Sequence, residues 1–207
     1  MRKLFITALF IFGLLTTSKA QFYHGGGVLC FDCSTSIEAG AILSNVSGMD
    51  DASSKIGFYI GFYQYKYISD KFSLRMGTSY NNLGAKVKGA DKPLIFHSVN
   101  LPITLHYLIN DNIQVFAGGE LGTNFFGELP KFEDNETISD YIDFRDNFTL
   151  FDASVVVGVG YIILNSIDIN LKYNLGVTNI YKPESTFDDF NMKKNWLTLS
   201  LGYTFRD

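Results

Sequence analysis

The chain has 207 residues, 46% hydrophobic, 15% aromatic and 18% charged, a size and balance that suit one domain. A formal charge of −4 leaves no basic footprint for nucleic acid. Two cysteines exclude a disulfide-dense scaffold and a four-ligand structural zinc site.

Met1-Arg2-Lys3 is a positive n-region, Leu4 to Leu15 is apolar but for Thr7 and Gly13, and Ser18 and Ala20 are small residues placed for a cut before Gln21. The apolar stretch is shorter than the roughly 20 residues a spanning helix needs. Residues 1–20 therefore read as a signal peptide, 21–35 as a short periplasmic segment and 36–207 as the structured domain. Removing Arg2, Lys3 and Lys19 leaves 14 basic against 21 acidic residues, so the exported chain carries −7.

From there the recurring pattern is alternation. Apolar and polar residues trade places at period two through Ile37–Leu43, Ile56–Tyr67, Phe72–Asn81, His97–Tyr107, Ile113–Thr123, Leu150–Ile163, Ser166–Thr178 and Leu197–Arg206. Period two over such lengths predicts eight strands. Tight connections carry Ser69-Asp70-Lys71, Asn110-Asp111-Asn112 and Asn165-Ser166, residues that hydrogen-bond their own turn. The other connections, at about 45–54, 83–94, 125–147 and 179–194, are longer. An even number of strands with short turns on one side and long loops on the other is the plan of an outer-membrane barrel, with both chain ends at the short-turn, periplasmic side.

A soluble eight-stranded barrel would turn the same Leu and Ile inward, so the second parity decides. It holds Gly, Ser, Thr and Asn with scattered charge, and repeated glycines at Gly57, Gly61, Gly118, Gly122, Gly158 and Gly160. A narrow lumen wants small residues and a few mutually satisfied charges. Glu38, Arg75, Glu120, Asp152, Asp168 and Lys172 are the lumen charges on this reading, and opposite signs are expected to meet. Tyr67, Tyr107, Tyr161 and Tyr203 recur where an aromatic girdle belongs. The fold expected is an all-β, eight-stranded antiparallel up-and-down transmembrane β-barrel.

The segments Ser36–Asn45, Gly57–Phe62, Ser69–Leu74, Gly84–Gly89, Leu101–Leu105, Tyr173–Ile180 and Leu199–Phe205, in that order, resemble the PorT-like outer-membrane β-barrel proteins over residues 36–206. The resemblance implies outer-membrane lipid as surroundings, barrel-insertion machinery as a partner during biogenesis, and Tyr203 and Phe205 as the C-terminal insertion signal. Arg206-Asp207 after Phe205 departs from barrels that finish on an aromatic residue.

The other candidates for chemistry read plainly. Cys30 and Cys33 have redox-motif spacing, but a strand follows where thioredoxin chemistry needs a helix N-terminus; they form a local disulfide or stay idle. His97 and Ser98 are adjacent and face opposite sides of a strand, while Thr104 and His106 share the lumen face near the short turns, where His106 serves as a hydrogen-bonding residue. Residues 126–147 carry seven carboxylates against Lys131 and Arg145, without calcium-loop spacing; a solvated loop is expected there. No catalytic, cofactor-binding or metal-ligating residue is assigned. Two functional classes follow: a monomeric structural or surface-interaction barrel with an envelope or extracellular partner, or a narrow transport barrel, porin-like or accessory to secretion. Eight strands leave a lumen just wide enough for side chains, which favours the first.

Overall fold

The computed structural model describes residues 33–49, 51–129, 147–163, 166–182 and 191–205. The alternation becomes eight antiparallel strands: β1 Cys33–Ser47, β2 Ala52–Tyr67, β3 Phe72–Val87, β4 Leu94–Leu108, β5 Ile113–Glu128, β6 Phe151–Ile163, β7 Ile167–Gly176 and β8 Lys193–Phe205. Each pairs with the next, and β8 returns to β1 from Thr35↔Phe205 to Ser47↔Lys193, closing the barrel. Closure leaves no open sheet edge, the condition for a sheet in a medium that offers no hydrogen bonds.

Side chains of the tight turns lock them. Ser69 Oγ accepts the Phe72 N–H at 3.2 Å, and Asn110 Oδ1 accepts those of Asn112 and Ile113 at 3.0 and 2.8 Å. In the third turn Ser166 is described and accepts the Thr204 N–H through its carbonyl at 2.7 Å; Asn165 lies outside the described residues. Above these turns the parities separate as in Leu199, 57% exposed, and Ser200, 3% exposed. Leu171, Tyr173, Leu199 and Leu201 point out, and Asn170, Lys172, Ser200 and Gly202 point in.

Six strands run further than the alternation predicts, toward the long-loop end: β1 to Ser47, β2 from Ala52, β3 to Val87, β4 from Leu94, β5 to Glu128 and β8 from Lys193. The connections expected at 45–54 and 83–94 shrink accordingly to 48–51 and 88–93. The first of these turns sharply at Gly48, φ 84°, and Asp51, φ 60°. At the other end β1 begins at Cys33, inside the segment assigned to 21–35, and β7 stops at Gly176 rather than Thr178.

On β1 and β3 the extensions escaped the pattern because polarity inverts along the strand while the side-chain period does not. On β1, Ile37 points out and Glu38 in, whereas further up Val46 is buried and Ser47 exposed. On β3, inward Arg75 gives way to inward Leu83 and Ala85, with Lys86 exposed beside them. About 9–11 residues suffice to cross a bilayer; β1–β5 have 15 or 16. On β1 and β3 the surplus length is built with soluble-protein polarity, apolar inside and polar outside, whereas β2 and β8 bury Lys55 and Lys194 there and β5 exposes Phe125 and Phe126.

Candidate functional site

Among the described residues, ionisable and hydrogen-bonding side chains are gathered and buried in the interior of the barrel. Near the short-turn end its centre is Glu38 on β1, 0% exposed. Arg75 on β3 donates to it through both guanidinium arms, Nη1 to Oε1 at 2.8 Å and Nη2 to Oε2 at 2.9 Å. Tyr59 Oη donates to Oε2 at 2.5 Å and Asn170 Nδ2 to Oε1 at 2.6 Å. Lys172 Nζ stands 3.9 Å from Oε2 and 3.8 Å from the Tyr59 ring centroid. The Arg75 guanidinium carbon lies 3.6 Å from the Tyr63 ring centroid. The Tyr59 and Tyr63 hydroxyls bond each other. Glu38 thus has paired donors, flanking cations and aromatic faces, which is what a buried ion pair needs to offset desolvation.

The same network continues downward. Asn170 also donates to Asp168 Oδ2 at 3.0 Å, and Gln114 Nε2 reaches Asn170 Oδ1 at 3.5 Å. Gln114 Oε1 accepts from His106 Nδ1 at 3.0 Å, so His106 Nε2 accepts from Thr104 Oγ1 at 2.9 Å. The His106 ring is stacked on Phe116 at 4.5 Å. Thr104 and His106 meet at hydroxyl–imidazole distance, but a small cavity of about 20 Å³ at the short-turn mouth, lined by Tyr65, Ser73, Gln114, Asp168 and Thr204, does not include them. That volume suits one water. Gly158, directly under the Phe116 ring, shows what the lumen glycines do: a Cβ there would come within 2.3 Å of the ring.

Halfway up, a second belt forms. Lys194 Nζ pairs with Asp152 Oδ2 at 2.7 Å and donates to Asn124 Oδ1 at 2.7 Å. Asn124 Nδ2 donates to Asp152 Oδ2 at 2.8 Å. Glu120 is held by the amides of Asn100 and Asn174, the latter at 2.9 Å. Above this belt the interior turns apolar: Val46, Leu83, Leu94, Phe96 and Trp196 are joined by Phe148 and Ile180 from the connecting segments. Thr149 N–H donates to the Ile180 carbonyl and Ile180 N–H to that of Met192, each at 2.8 Å. Phe148 meets Phe96 edge to face at 5.0 Å.

All six charges assigned to the lumen from parity lie inside the wall, 7% exposed or less. The structure brings Glu38, Arg75 and Lys172 together, sets Asp168 beside Asn170, and places Glu120 and Asp152 in the belt above. Lys194 was missed because 179–194 reads as loop, and Lys55, bonded to Asn82, because Ile56 opens the predicted strand. Tyr59, Tyr63 and Tyr65 also face inward; they share the parity of Gly57 and Gly61, which was the signal available. His97 accepts or donates at Tyr80 Oη through Nδ1 and stacks on Phe126 at 4.2 Å. Tyr203 and Phe205 are exposed outward, rings 4.9 Å apart. Cys33 is disulfide-bonded; Cys30, Arg206, Asp207 and most of the acidic 126–147 segment lie outside the described residues, as do 1–32. Among the described residues no three His, Cys, Asp or Glu side chains cluster as metal ligands.

Comparison with known proteins agrees with this architecture. Residues 32–182 match the family described as outer membrane protein beta-barrel domain. No curated protein sequence matches the chain. Among solved structures, Neisserial surface protein A (NspA) aligns at 17% identity and a TM-score of 0.53, covering 83% of this chain and 97% of that one. Ail of Yersinia pestis aligns at 15% identity and 0.48 over 84% and 99%. OprG of Pseudomonas aeruginosa aligns at 15% and 0.45 over 84% and 97%.

Proposed function

Since the chain belongs to the outer membrane protein β-barrel domain family, we propose that it is a monomeric closed-lumen barrel that works through its surface, as a structural or partner-binding element of the cell envelope. Within the family we place it with the PorT-like barrels, on the order of motifs from Ser36–Asn45 to Leu199–Phe205. The signal peptide directs export, the short turns face the periplasm, and the loop end faces outward. The barrel carries no enzymatic role in this reading.

One observation carries the proposal: among the described residues buried side chains occupy the interior at successive levels, the Glu38–Arg75–Lys172 network, the Asp152–Lys194 belt and the apolar cluster around Trp196. An eight-stranded lumen has no space left over for a solute once such side chains occupy it. Planar-bilayer recording of the purified monomer tests this. Silence in the wild type, with conductance appearing in Arg75→Ala or Lys172→Ala, is the expected result. Steady large conductance steps from wild-type monomer would replace the proposal with transport. Crosslinking on intact cells through the loop end, followed by identification of the captured envelope protein, then names the partner.

A further inference from the structure

Among the described residues the buried charges number four of each sign, but they are unevenly placed. Glu38, Asp168, Glu120 and Asp152 share the lumen network with Arg75, Lys172 and Lys194. The fourth buried cation, Lys55, is drawn to Asn82, the Cα partner of His97 at the loop-end rim. Glu38 has two of the cations and Asp152 the third. Glu120, 5% exposed, has no ion pair among the described residues and meets only the amides of Asn100 and Asn174.

Acceptors without donors collect at the same level. Asn100 Oδ1, Asn174 Oδ1 and Ser154 Oγ are buried without a hydrogen-bond partner. Ser154 is the Cα partner of Glu120 across β5 and β6, both facing inward. Beside them a Cβ on Gly122 would lie 2.7 Å from Asp152 Oδ1 and 3.0 Å from Asn100 Oδ1, so these two oxygens converge on one point. Buried polar atoms are almost always satisfied, and oxygens gathered around a carboxylate that has no ion pair are satisfied by a cation. Either asparagine can serve both states: a half-turn of its amide exchanges the NH2 that faces a bare carboxylate for the oxygen that faces a metal.

We propose that the mid-lumen belt binds one hard metal cation, with Glu120 as the anionic ligand and Asn100, Ser154, Asn174 and Asp152 Oδ1 as further oxygen donors. Carboxylate, amide carbonyl and hydroxyl oxygens without imidazole or thiolate select alkali or alkaline-earth ions over transition metals. The ion sits between the network below and the apolar cap above, so it is taken up as the barrel folds. The inference concerns the lumen alone and holds whichever end faces out.

The test is refolding into detergent in sodium, potassium or calcium chloride, against choline chloride at matched ionic strength, with thermal unfolding as the readout. At a hundredfold excess over its Kd the bound ion raises the folded-to-unfolded ratio about a hundredfold, and the midpoint saturates with concentration. Glu120→Gln abolishes that dependence. Asn174→Asp, which adds a third carboxylate to the belt, lowers the half-saturating concentration tenfold or more, and decides the matter should Glu120→Gln fail to fold. A wild-type midpoint indifferent to all three metals overturns the site, as does a dependence that persists in Glu120→Gln or an unmoved half-saturation in Asn174→Asp. Because stability rather than current is measured, the outcome is independent of whether the barrel conducts.

Discussion

The two ends of the lumen are built on opposite principles within one continuous sheet. Around Glu38 the wall is apolar outside and polar inside; at the loop ends of β1 and β3, around Val46 and Leu83, it is polar outside and apolar inside. The backbone, the pairing and the two-residue period are the same in both. What differs is the solvent on the outer face. Where the outer face meets lipid, outward Leu and Val gain nothing by turning in, and the interior is free to hold a charge network. Where strands continue past the lipid, the hydrophobic effect again favours an apolar interior, and Phe96, Phe148 and Trp196 form a small core of the water-soluble kind. The comparison teaches that a barrel strand records its membrane exit as a change of polarity on a fixed parity.

Breaking the lower region should cost most. Glu38→Ala strands Arg75 and Lys172 without their carboxylate, and removal of one partner from a buried pair costs about 3–5 kcal/mol; the upper end is expected, read from urea unfolding in lipid vesicles. Trp196→Ala attacks the other region and is expected to cost about 3–4 kcal/mol through cavity formation, but without opening a conductive path past Arg75 in bilayer recording. Leu171→Arg tests the outer face of the lipid-exposed zone, with an expected loss of about 2–4 kcal/mol if it lies near the midplane. The smallest effect belongs to Lys88→Ala above the lipid, whose 4.0 Å contact with Asp51 is open to solvent; a change within about 0.5 kcal/mol is expected by the same unfolding assay. An equal response at Lys88 and Glu38 would erase the distinction between the regions.

The lower region was legible in the sequence because one parity held throughout: Ile167 to Leu175 against Asp168 to Asn174 reads without interruption. The turns were legible because Asn110 and Ser69 close them through their own side chains. The upper region was not, since a test for apolar residues on one fixed parity reads the inversion at Val46 or Leu83 as the end of a strand. Lys194 was lost for that reason, although it shares parity with Thr198 and Ser200. Which charges pair was beyond periodicity altogether. Arg75 meets Glu38 from two strands away and Lys172 from the far end of the chain, a matter of register and barrel stagger that alternation does not encode.

The bond from Asn170 to Glu38 spans 132 residues of sequence. Its donor lies on β7 and its acceptor on β1, so it forms only when the chain's late strands have come round to its first. Such distant contacts form slowly, since loop-closure entropy is lost before they contribute. The Glu38 network therefore acts as a latch on ring closure: an incomplete barrel leaves a carboxylate bare, and a complete one buries it under partners from three other strands. Interactions made that late are absent from the folding transition state and act chiefly on the rate of opening. The lumen of this barrel, closed as a passage in the function proposed above, serves as the latch that keeps the ring shut.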